Sequence, residues 1–229
     1  MLAMNVNVTK YEKDNLRGLA SVDINGNLQL NGIRIMESKG KVFVSMPSYK
    51  SNKNGEYFQY YHPVTKEFYE ALETEILAAY HLALEGKKPE KKEAVEDIEV
   101  SSVRVTPYDK DNMKGFATVV LNECIAIHSV KILQGEYGTY PAMPSYKGAD
   151  GEYHEIVECS QNLKNSIKRE MRKAMKEEKP DIQKPTTEKP VKKTEGTKTK
   201  EVKEEKPDIQ KPTTEEPVKK TRRTKSKNR

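Results

Sequence analysis

The sequence contains few of the residues from which metal centres and catalytic sites are built. Only two of its 229 residues are cysteine and four are histidine. Cys124 and Cys159 lack the C-x-x-C spacing of metal ligands, and the histidines lie in unrelated settings. A glycine-rich phosphate loop and a nucleophile motif are also missing. We therefore predict that the protein is not an enzyme and uses neither a cofactor nor a metal.

Disulfide bonds and membrane spans are equally unsupported. Two cysteines do not make a disulfide framework, which suits a protein of a reducing compartment. No apolar run approaches the roughly 18 residues that a membrane span needs. The sequence therefore predicts a cytoplasmic protein with no membrane partner.

The C-terminal part of the chain lacks the residues that form a core. Residues 177–229 contain no Phe, Tyr, Leu, Met or Cys and consist mainly of Lys, Glu, Pro and Thr. Such a segment cannot bury enough apolar area to offset the entropy lost on ordering. A stretch that begins at Glu177 recurs from Glu204, and we interpret it as a duplicated spacer because each copy has too few apolar residues to stack. We predict a disordered Lys/Glu/Pro/Thr-rich tail over residues 178–229.

The net positive charge is confined to this C-terminal part. Residues 177–229 hold 17 Lys and Arg against 11 Asp and Glu, which accounts for the whole net charge of +6, so residues 1–176 are neutral overall. Residues 219–229 carry seven basic residues and no acidic one. A basic segment without aromatic residues is expected to bind nucleic acid in a salt-sensitive, sequence-tolerant way, here through Lys219, Lys220, Arg222, Arg223 and Lys225.

Two copies of one unit precede the tail. Met-Pro-Ser-Tyr-Lys at residues 46–50 returns unchanged at residues 143–147, and Gly-Glu-Tyr follows each copy. The units align at an offset of 97, which becomes 96 after this motif. We predict a first domain at residues 1–86, a charged linker at 87–97 and a second domain at 98–177.

The first half of each unit has the pattern of antiparallel strands. Apolar residues alternate up to Leu30, which indicates strands with one buried face. Asn25-Gly26 predicts a tight hairpin because both residues tolerate positive φ. The alternation slips by one residue near Asn31-Gly32 and again near His128-Ser129, which predicts a β-bulge in each unit.

The second half of the unit changes to helical spacing. We predict a fourth strand at residues 42–46, a polar loop at 49–55 and a short strand at 56–60. Thr65 fits a helix N-cap, and the apolar residues after it predict a helix over residues 66–84. The fold class is therefore α+β, with two repeats of a small antiparallel β-sheet and a C-terminal amphipathic helix, followed by the disordered tail.

These motifs resemble the stage V sporulation protein G (SpoVG) family of bacterial septation and sporulation regulators. The resemblance rests on Met-Pro-Ser at residues 46–48, a basic residue at Lys50, Gly-Glu-Tyr at 55–57, and His62-Pro63 before the helix. A weaker second copy follows. The resemblance implies a small sheet with a C-terminal helix, usually paired as a homodimer, that binds DNA or RNA at preferred sites. A tandem duplication would form that dimer within one chain.

The chain departs from the family pattern in ways that weaken the expected nucleic-acid contact. Tyr49-Lys50 and Tyr146-Lys147 stand where the family has two basic residues, so each loop has lost one positive charge. The His62-Pro63 pair has become Glu158-Cys159 in the second unit. The contact is weakened by these changes but not excluded.

The two predicted helices differ strongly in charge. Residues 66–85 carry five acidic residues and one basic one, whereas residues 160–176 carry six basic residues and one acidic one. Because an acidic helix repels phosphate, only the second is a candidate nucleic-acid face, through Lys164, Lys168, Arg169, Arg172 and Lys173. Two alternatives stay open: the charges form an ordinary solvated face, or the acidic helix of one unit faces the basic helix of another.

The loops after Met-Pro-Ser form a second candidate site. Each combines an aromatic residue with lysine, which suits stacking on a base beside a phosphate contact. The candidates are Tyr49, Lys50 and Lys53 in the first loop and Tyr146 and Lys147 in the second. A loop that is repeated only because it turns the chain correctly explains the pattern equally well.

The sequence favours a non-enzymatic regulator that binds DNA or RNA. His62 is better explained by capping or packing of the strand-to-helix turn than by a role as general base. Self-association through sheet edges is expected, either within the chain as a pseudo-dimer or between chains as a homodimer. The alternative function is a protein-interaction or scaffold module that has kept the fold but lost specific nucleic-acid readout.

Overall fold

The computed structural model describes residues 2–51, 55–94, 97–148 and 150–177. The predicted disordered tail, with its five candidate basic residues, lies outside the described residues, and so does Lys53 of the first loop.

The first repeat begins with a three-stranded antiparallel meander, continues with four short strands and ends in a helix. Its elements are β1 (Met4–Lys13), β2 (Leu16–Ile24), β3 (Leu28–Ser38), β4 (Lys41–Ser45), β5 (Ser48–Lys50), β6 (Tyr57–Gln59), β7 (Tyr61–Pro63) and α1 (Lys66–Leu84).

The second repeat has the same elements in the same order. They are β8 (Val100–Lys110), β9 (Met113–Leu121), β10 (Ile125–Gly135), β11 (Gly138–Ala142), β12 (Ser145–Lys147), β13 (Tyr153–Glu155), β14 (Val157–Cys159) and α2 (Gln161–Glu177). This confirms the predicted α+β class and its two repeats of sheet and helix.

Local sequence signals set the shape of the meander as predicted. Asn25 and Gly26 connect β2 to β3 with φ values of 52° and 66°, so the hairpin turn has the positive φ that this dipeptide tolerates. The pairing of β2 with β3 shifts register at the predicted bulge, where Gly32 has a φ of 77°. The second repeat shifts at the equivalent place, where Ser129 has a φ of 56°. Both predicted bulges are confirmed.

Each repeat contributes a strand to the sheet of the other. One edge of β3 pairs with β2, and its other edge pairs with β4 at residues 34–38 and with β14 at residues 28–30. The equivalent strand β10 pairs with β9 along one edge and with β11 and β7 along the other. The exchange is therefore reciprocal: β7 lies in the sheet of the second repeat, and β14 lies in the sheet of the first.

The two helices cover their own sheets and close a common core. Helix α1 packs on β1 and β4, and α2 packs on β8 and β11. Thr65 caps α1 as predicted, since its hydroxyl accepts a hydrogen bond from the Phe68 amide at 3.2 Å. The buried apolar residues of both repeats form one continuous cluster. Neither α1 nor α2 is long and apolar enough to span a membrane.

Three short strands correct the predicted second half of the unit. The predicted loop at 49–55 is wrong at its start, because Tyr49 and Lys50 lie in β5 and pair with β6. The predicted strand at 56–60 is shorter, at Tyr57–Gln59, and the expected strand-to-helix turn at His62 is strand β7. Strands of three residues are too short to show a period of two, and the partner of β7 lies in the other repeat, so local sequence did not predict β5 or β7.

The segment after α1 returns to the first sheet. The Nζ atom of Lys92 lies 2.6 Å from the Glu75 carboxylate of α1. The Lys92 amide donates a hydrogen bond to Asn5 Oδ1 of β1 at 2.7 Å, and Asn5 Nδ2 donates one to the Lys92 carbonyl oxygen at 3.0 Å. The first part of the predicted linker is thus held against the first repeat.

Candidate functional site

Helix α2 carries the five predicted cations. One of them, Arg172, forms hydrogen bonds to the backbone of its own repeat. Its Nη2 donates hydrogen bonds to the carbonyl oxygens of Tyr137 and Thr139, at 3.1 and 3.0 Å. These bonds attach the helix to the turn between β10 and β11. The guanidinium therefore has a structural role beside any contact with a ligand.

The remaining cations of α2 fall into two groups. Arg169 and Lys173 each lie 3.0 Å from the same oxygen of Glu170. Their hydrogen bonds, that of Arg169 first, hold the pKa of Glu170 below its ordinary value. Lys164, Lys168 and Lys176 form no ion pair with any other residue that the structure describes. They are the cations of this helix most readily available to a phosphate.

The acidic helix α1 has its own cationic partners. Lys66 pairs with Glu70 at 3.2 Å, one turn along the helix, and Glu75 pairs with Lys92 at 2.6 Å. Within the described part of the chain no ion pair joins α1 to α2. The alternative in which the two helices face each other therefore gains no support within one chain.

The first Tyr-Lys site is a hairpin of β5 and β6 that contacts the second repeat. Tyr49 lies in an aromatic cluster, with ring centroids 4.9 Å from Tyr60 and 6.0 Å from Phe58, and its hydroxyl lies 3.2 Å from Ser129 Oγ. Lys50 is exposed, with Nζ 5.9 Å from the ring centroid of Tyr57. The half-buried Tyr49 thus joins the repeats, and the aromatic side chains left exposed on this hairpin belong to β6.

The second Tyr-Lys site is more open. Tyr146 of β12 stacks on His154 of β13 at 5.3 Å and keeps 49% of its surface exposed. Asp150 lies 2.9 Å from the His154 ring, and the pKa of this carboxyl is lowered by the Glu152 amide and then by His154. Gly32 stands at the position equivalent to Ser129, so no hydroxyl is available there to hold Tyr146.

Two histidines meet where β7 enters the sheet of the second repeat. His62 pairs with Ala126 of β10, two residues before His128. The rings of His62 and His128 stack with centroids 4.9 Å apart, and His128 Nε2 lies 2.9 Å from His62 Nδ1. Thr118 Oγ1 lies 3.2 Å from the other nitrogen of His128. Burial, and then the neighbouring His62, lowers the pKa of His128, which disfavours protonation of this imidazole.

These residues line a groove of about 640 Å³ between the repeats. The β5–β6 hairpin forms one wall with Tyr49, Tyr57 and Phe58, and the sheet of the second repeat forms the other with His128 and Ser129. Its lining contains hydroxyl, imidazole, amide and aromatic groups but no Lys, Arg, Asp or Glu. This volume lies within the range of about 300–1,000 Å³ that small-molecule sites occupy.

The equivalent joint on the other side has different chemistry. Asn31 replaces His128 and Glu158 replaces His62, and Asn31 Nδ2 donates to Glu158 Oε1 at 2.8 Å. The backbone is the same at both joints: the His128 amide donates to the Tyr60 carbonyl at 2.7 Å, and the Asn31 amide donates to the Ile156 carbonyl at 2.8 Å. One joint is thus a pair of imidazoles, and the other contains a carboxylate.

The sequence did not predict this cluster. His62 and His128 are 66 positions apart, and their contact requires the exchange of β7, which no local pattern indicates. A usable signal was nevertheless present. The alignment of the two repeats shows both histidines replaced in the other copy, His62 by Glu158 and His128 by Asn31.

These features define a class: a tandem α+β protein whose two repeats exchange strands and whose inter-repeat joints have diverged. The SpoVG family model matches residues 1–82 and 98–187. The chain therefore belongs to the SpoVG family, and the family domain is present twice, as the resemblance implied.

Similar proteins carry the name septation protein SpoVG. The relative from Myxococcus xanthus is 36% identical over 60 residues, which cover 26% of this chain and 61% of the relative. That from Bdellovibrio bacteriovorus is 33% identical over 60 residues, covering 26% and 56%. That from Agathobacter rectalis is 29% identical over 76 residues, covering 31% and 87%. The chain thus spans less than two thirds of the length of the first two relatives.

Proposed function

We propose that this protein is a nucleic-acid-binding regulator of the SpoVG type that acts in bacterial septation, sporulation or gene regulation. Its family membership and the names of its relatives support the biological setting. The binding activity is supported by the charges of the two helices, which differ in sign although the repeats share one fold.

The contrast between the helices carries this proposal. Residues 160–176 have five more basic than acidic residues, and residues 66–85 have four more acidic than basic ones. Lys164 and Lys168 have no intramolecular ion pair among the described residues, so a phosphate can neutralise them without breaking an ion pair. Binding that neutralises phosphates releases counterions and is therefore sensitive to salt.

The reciprocal exchange of β7 and β14 supports a pseudo-dimer within the chain. The joints that two subunits would form are made here by the two repeats. Light scattering on the full chain is expected to give the mass of a monomer. A dimer mass would indicate that copies of the chain also associate with each other.

The test is a charge reversal on α2 in the full-length protein. Binding to duplex DNA and to single-stranded RNA is measured as a function of salt for Lys164→Glu with Lys168→Glu. The matched control reverses the exposed Lys10 and Lys41 on strands β1 and β4 of the first repeat. If both α2 lysines contact phosphates, the slope of log affinity against log salt should decrease by about 1.8 for duplex DNA, and the control should keep its slope. Equal slopes in the two variants would contradict a role for α2.

The second candidate function is a protein-interaction or scaffold module. Three tyrosines at turns and hairpins favour it, because Tyr57, Tyr137 and Tyr153 are 71%, 86% and 73% exposed. Exposed aromatic residues are common at protein interfaces. This function would replace the first if the full-length protein bound no nucleic acid at low salt.

A further inference from the structure

The groove between the repeats is a binding site of a kind that the basic helix does not provide. It has aromatic faces, hydrogen-bonding edges and no fully charged residue in its lining. A bare phosphate is poorly served by such a lining, because no cation lies inside to neutralise it. A planar, uncharged, hydrogen-bonding group suits it better, and a nucleobase has these properties.

Aromatic stacking surfaces are available at the groove. Tyr57 is 71% exposed and Phe58 is 43% exposed, and both belong to the β5–β6 wall. Their neighbour Tyr49 is occupied by its contacts with Tyr60 and Ser129. The base-stacking role expected of Tyr49 from the sequence is therefore better placed on β6.

The imidazole pair supplies an edge that can either donate or accept a hydrogen bond. If Thr118 donates to His128, then His128 Nε2 donates to His62 Nδ1, and the His62 Nε2 atom carries a hydrogen. If these hydrogen bonds run in the opposite direction, His62 Nε2 is an acceptor. Among the described residues this atom has no hydrogen-bond partner. Through its two hydrogen-bonding directions, the pair can thus match either kind of group on the edge of a base.

A cation lies beside the groove and outside its lining. Lys50 Nζ is 5.9 Å from the Tyr57 ring centroid. A base stacked on β6 would therefore have an ammonium group close to its sugar–phosphate backbone. Stacking combined with a neighbouring positive charge is the usual arrangement in proteins that hold single strands.

We propose that the groove between the repeats binds an unpaired nucleobase, stacked on Tyr57 and Phe58, with its edge towards the imidazole pair and its phosphate near Lys50. This inference rests on the proposed nucleic-acid-binding function and specifies single-stranded nucleic acid as its ligand. A paired base cannot enter, because its edge is already occupied and its faces are stacked. The other joint, with Glu158 in place of His62, would place a carboxylate near the strand and is not expected to bind it.

The test compares two tyrosines at equivalent positions in the full-length protein. Tyr57 and Tyr153 each begin the second strand of their hairpin, and both are more than two-thirds exposed, so alanine at either should leave the fold intact. The probes are a short mixed-sequence DNA strand containing a fluorescent purine analogue, the same sequence in RNA, and the matching DNA duplex. AMP and CMP are added as competitors, to distinguish a base within a strand from a free nucleotide.

We expect Tyr57→Ala to weaken single-strand binding about tenfold and to leave duplex binding unchanged, while Tyr153→Ala changes neither. His62→Gln should also weaken single-strand binding, and Glu158→Gln, its matched control, should not. Millimolar mononucleotide should displace little of the strand, because it lacks the neighbouring phosphate contacts. Equal effects of the two alanine variants, or no effect of either on a strand that still binds, would overturn the groove assignment alone. Failure of the unaltered protein to bind any of the three probes would instead overturn the proposed function.

Discussion

Removal of the Tyr61 side chain should destabilise both repeats together. Tyr61 belongs to the first repeat in sequence, but it lies in β7, pairs with Ile127 of the second repeat and is fully buried. Its hydroxyl donates a hydrogen bond to the Asn31 carbonyl oxygen at 2.9 Å. Deletion of a buried aromatic ring costs about 3–5 kcal/mol, and loss of the hydrogen bond about 1 kcal/mol. We therefore expect Tyr61→Ala to lower the free energy of unfolding by roughly 4–6 kcal/mol.

The measurement is equilibrium unfolding in urea, followed by circular dichroism and by tyrosine fluorescence. Tyr61→Phe separates the two contributions and should cost only about 1 kcal/mol. Tyr137→Ala is the control, because the same deletion at a side chain that is 86% exposed should change stability by less than about 0.5 kcal/mol. The exchange of strands predicts one cooperative transition in every variant. Two separate transitions, of which Tyr61→Ala shifted only one, would refute this reasoning.

Three further perturbations test other parts of the structure. Burial lowers the pKa of His128 from 6.5, so the unfolded chain binds more protons than the folded one below about pH 6.5. The free energy of unfolding should therefore fall as the pH drops through this range. The variant His128→Asn, which copies Asn31, should flatten this pH dependence in urea titrations. Burial raises the pKa of Cys159 to about 12, so only about one thiol in ten thousand is ionised at pH 8. In native protein, alkylation of Cys159 followed by mass spectrometry should therefore proceed only at the rate of unfolding. Finally, a methyl group at Gly115 would lie 2.7 Å from a backbone oxygen of β8, whereas one at Gly18 would lie 3.2 Å from the equivalent oxygen. Gly115→Ala should therefore lower the free energy of unfolding by about 1–3 kcal/mol, measured by thermal unfolding. Gly18→Ala should lower it less.

The sequence predicted those parts of the fold that depend on neighbouring residues. Asn25-Gly26 specifies its hairpin, the slip at Asn31-Gly32 specifies its bulge, and Thr65 specifies the start of α1, because each signal acts within a few residues. The exchanged strands could not be predicted in this way. The pairing of β7 depends on a partner more than sixty positions away, and its three residues are too few to show periodicity.

The same limit applies to the candidate sites. The sequence identified the charge of α2, but it could not show that Arg172 is bonded to two carbonyl oxygens or that Arg169 and Lys173 share Glu170. Those contacts depend on where the helix lies on its sheet and on which rotamers pack there. Composition counts charges, and only the fold determines which of them already have partners.

Duplication within one chain removes a constraint that a symmetric dimer imposes. In a homodimer each substitution appears at both joints, so the joints stay identical. Here each repeat contributes one residue to each joint, and yet both imidazoles occupy one joint while Asn31 and Glu158 occupy the other. The difference between the joints is therefore a difference between pairs of contacting residues, and each pair contains one residue from each repeat.

This divergence gives the two sheets different properties. The sheet of β8 to β11 carries the basic helix α2 and the groove with the imidazole pair, whereas the sheet of β1 to β4 carries the acidic helix α1 and the joint with the carboxylate. Both candidate nucleic-acid features thus belong to one sheet, although the chain that builds the groove comes partly from the other repeat. The carboxylate of Glu158, which would repel a phosphate backbone, lies at the other joint. The repeated Met-Pro-Ser-Tyr-Lys accordingly marks two hairpins of the same shape, of which we expect only the first to hold a base.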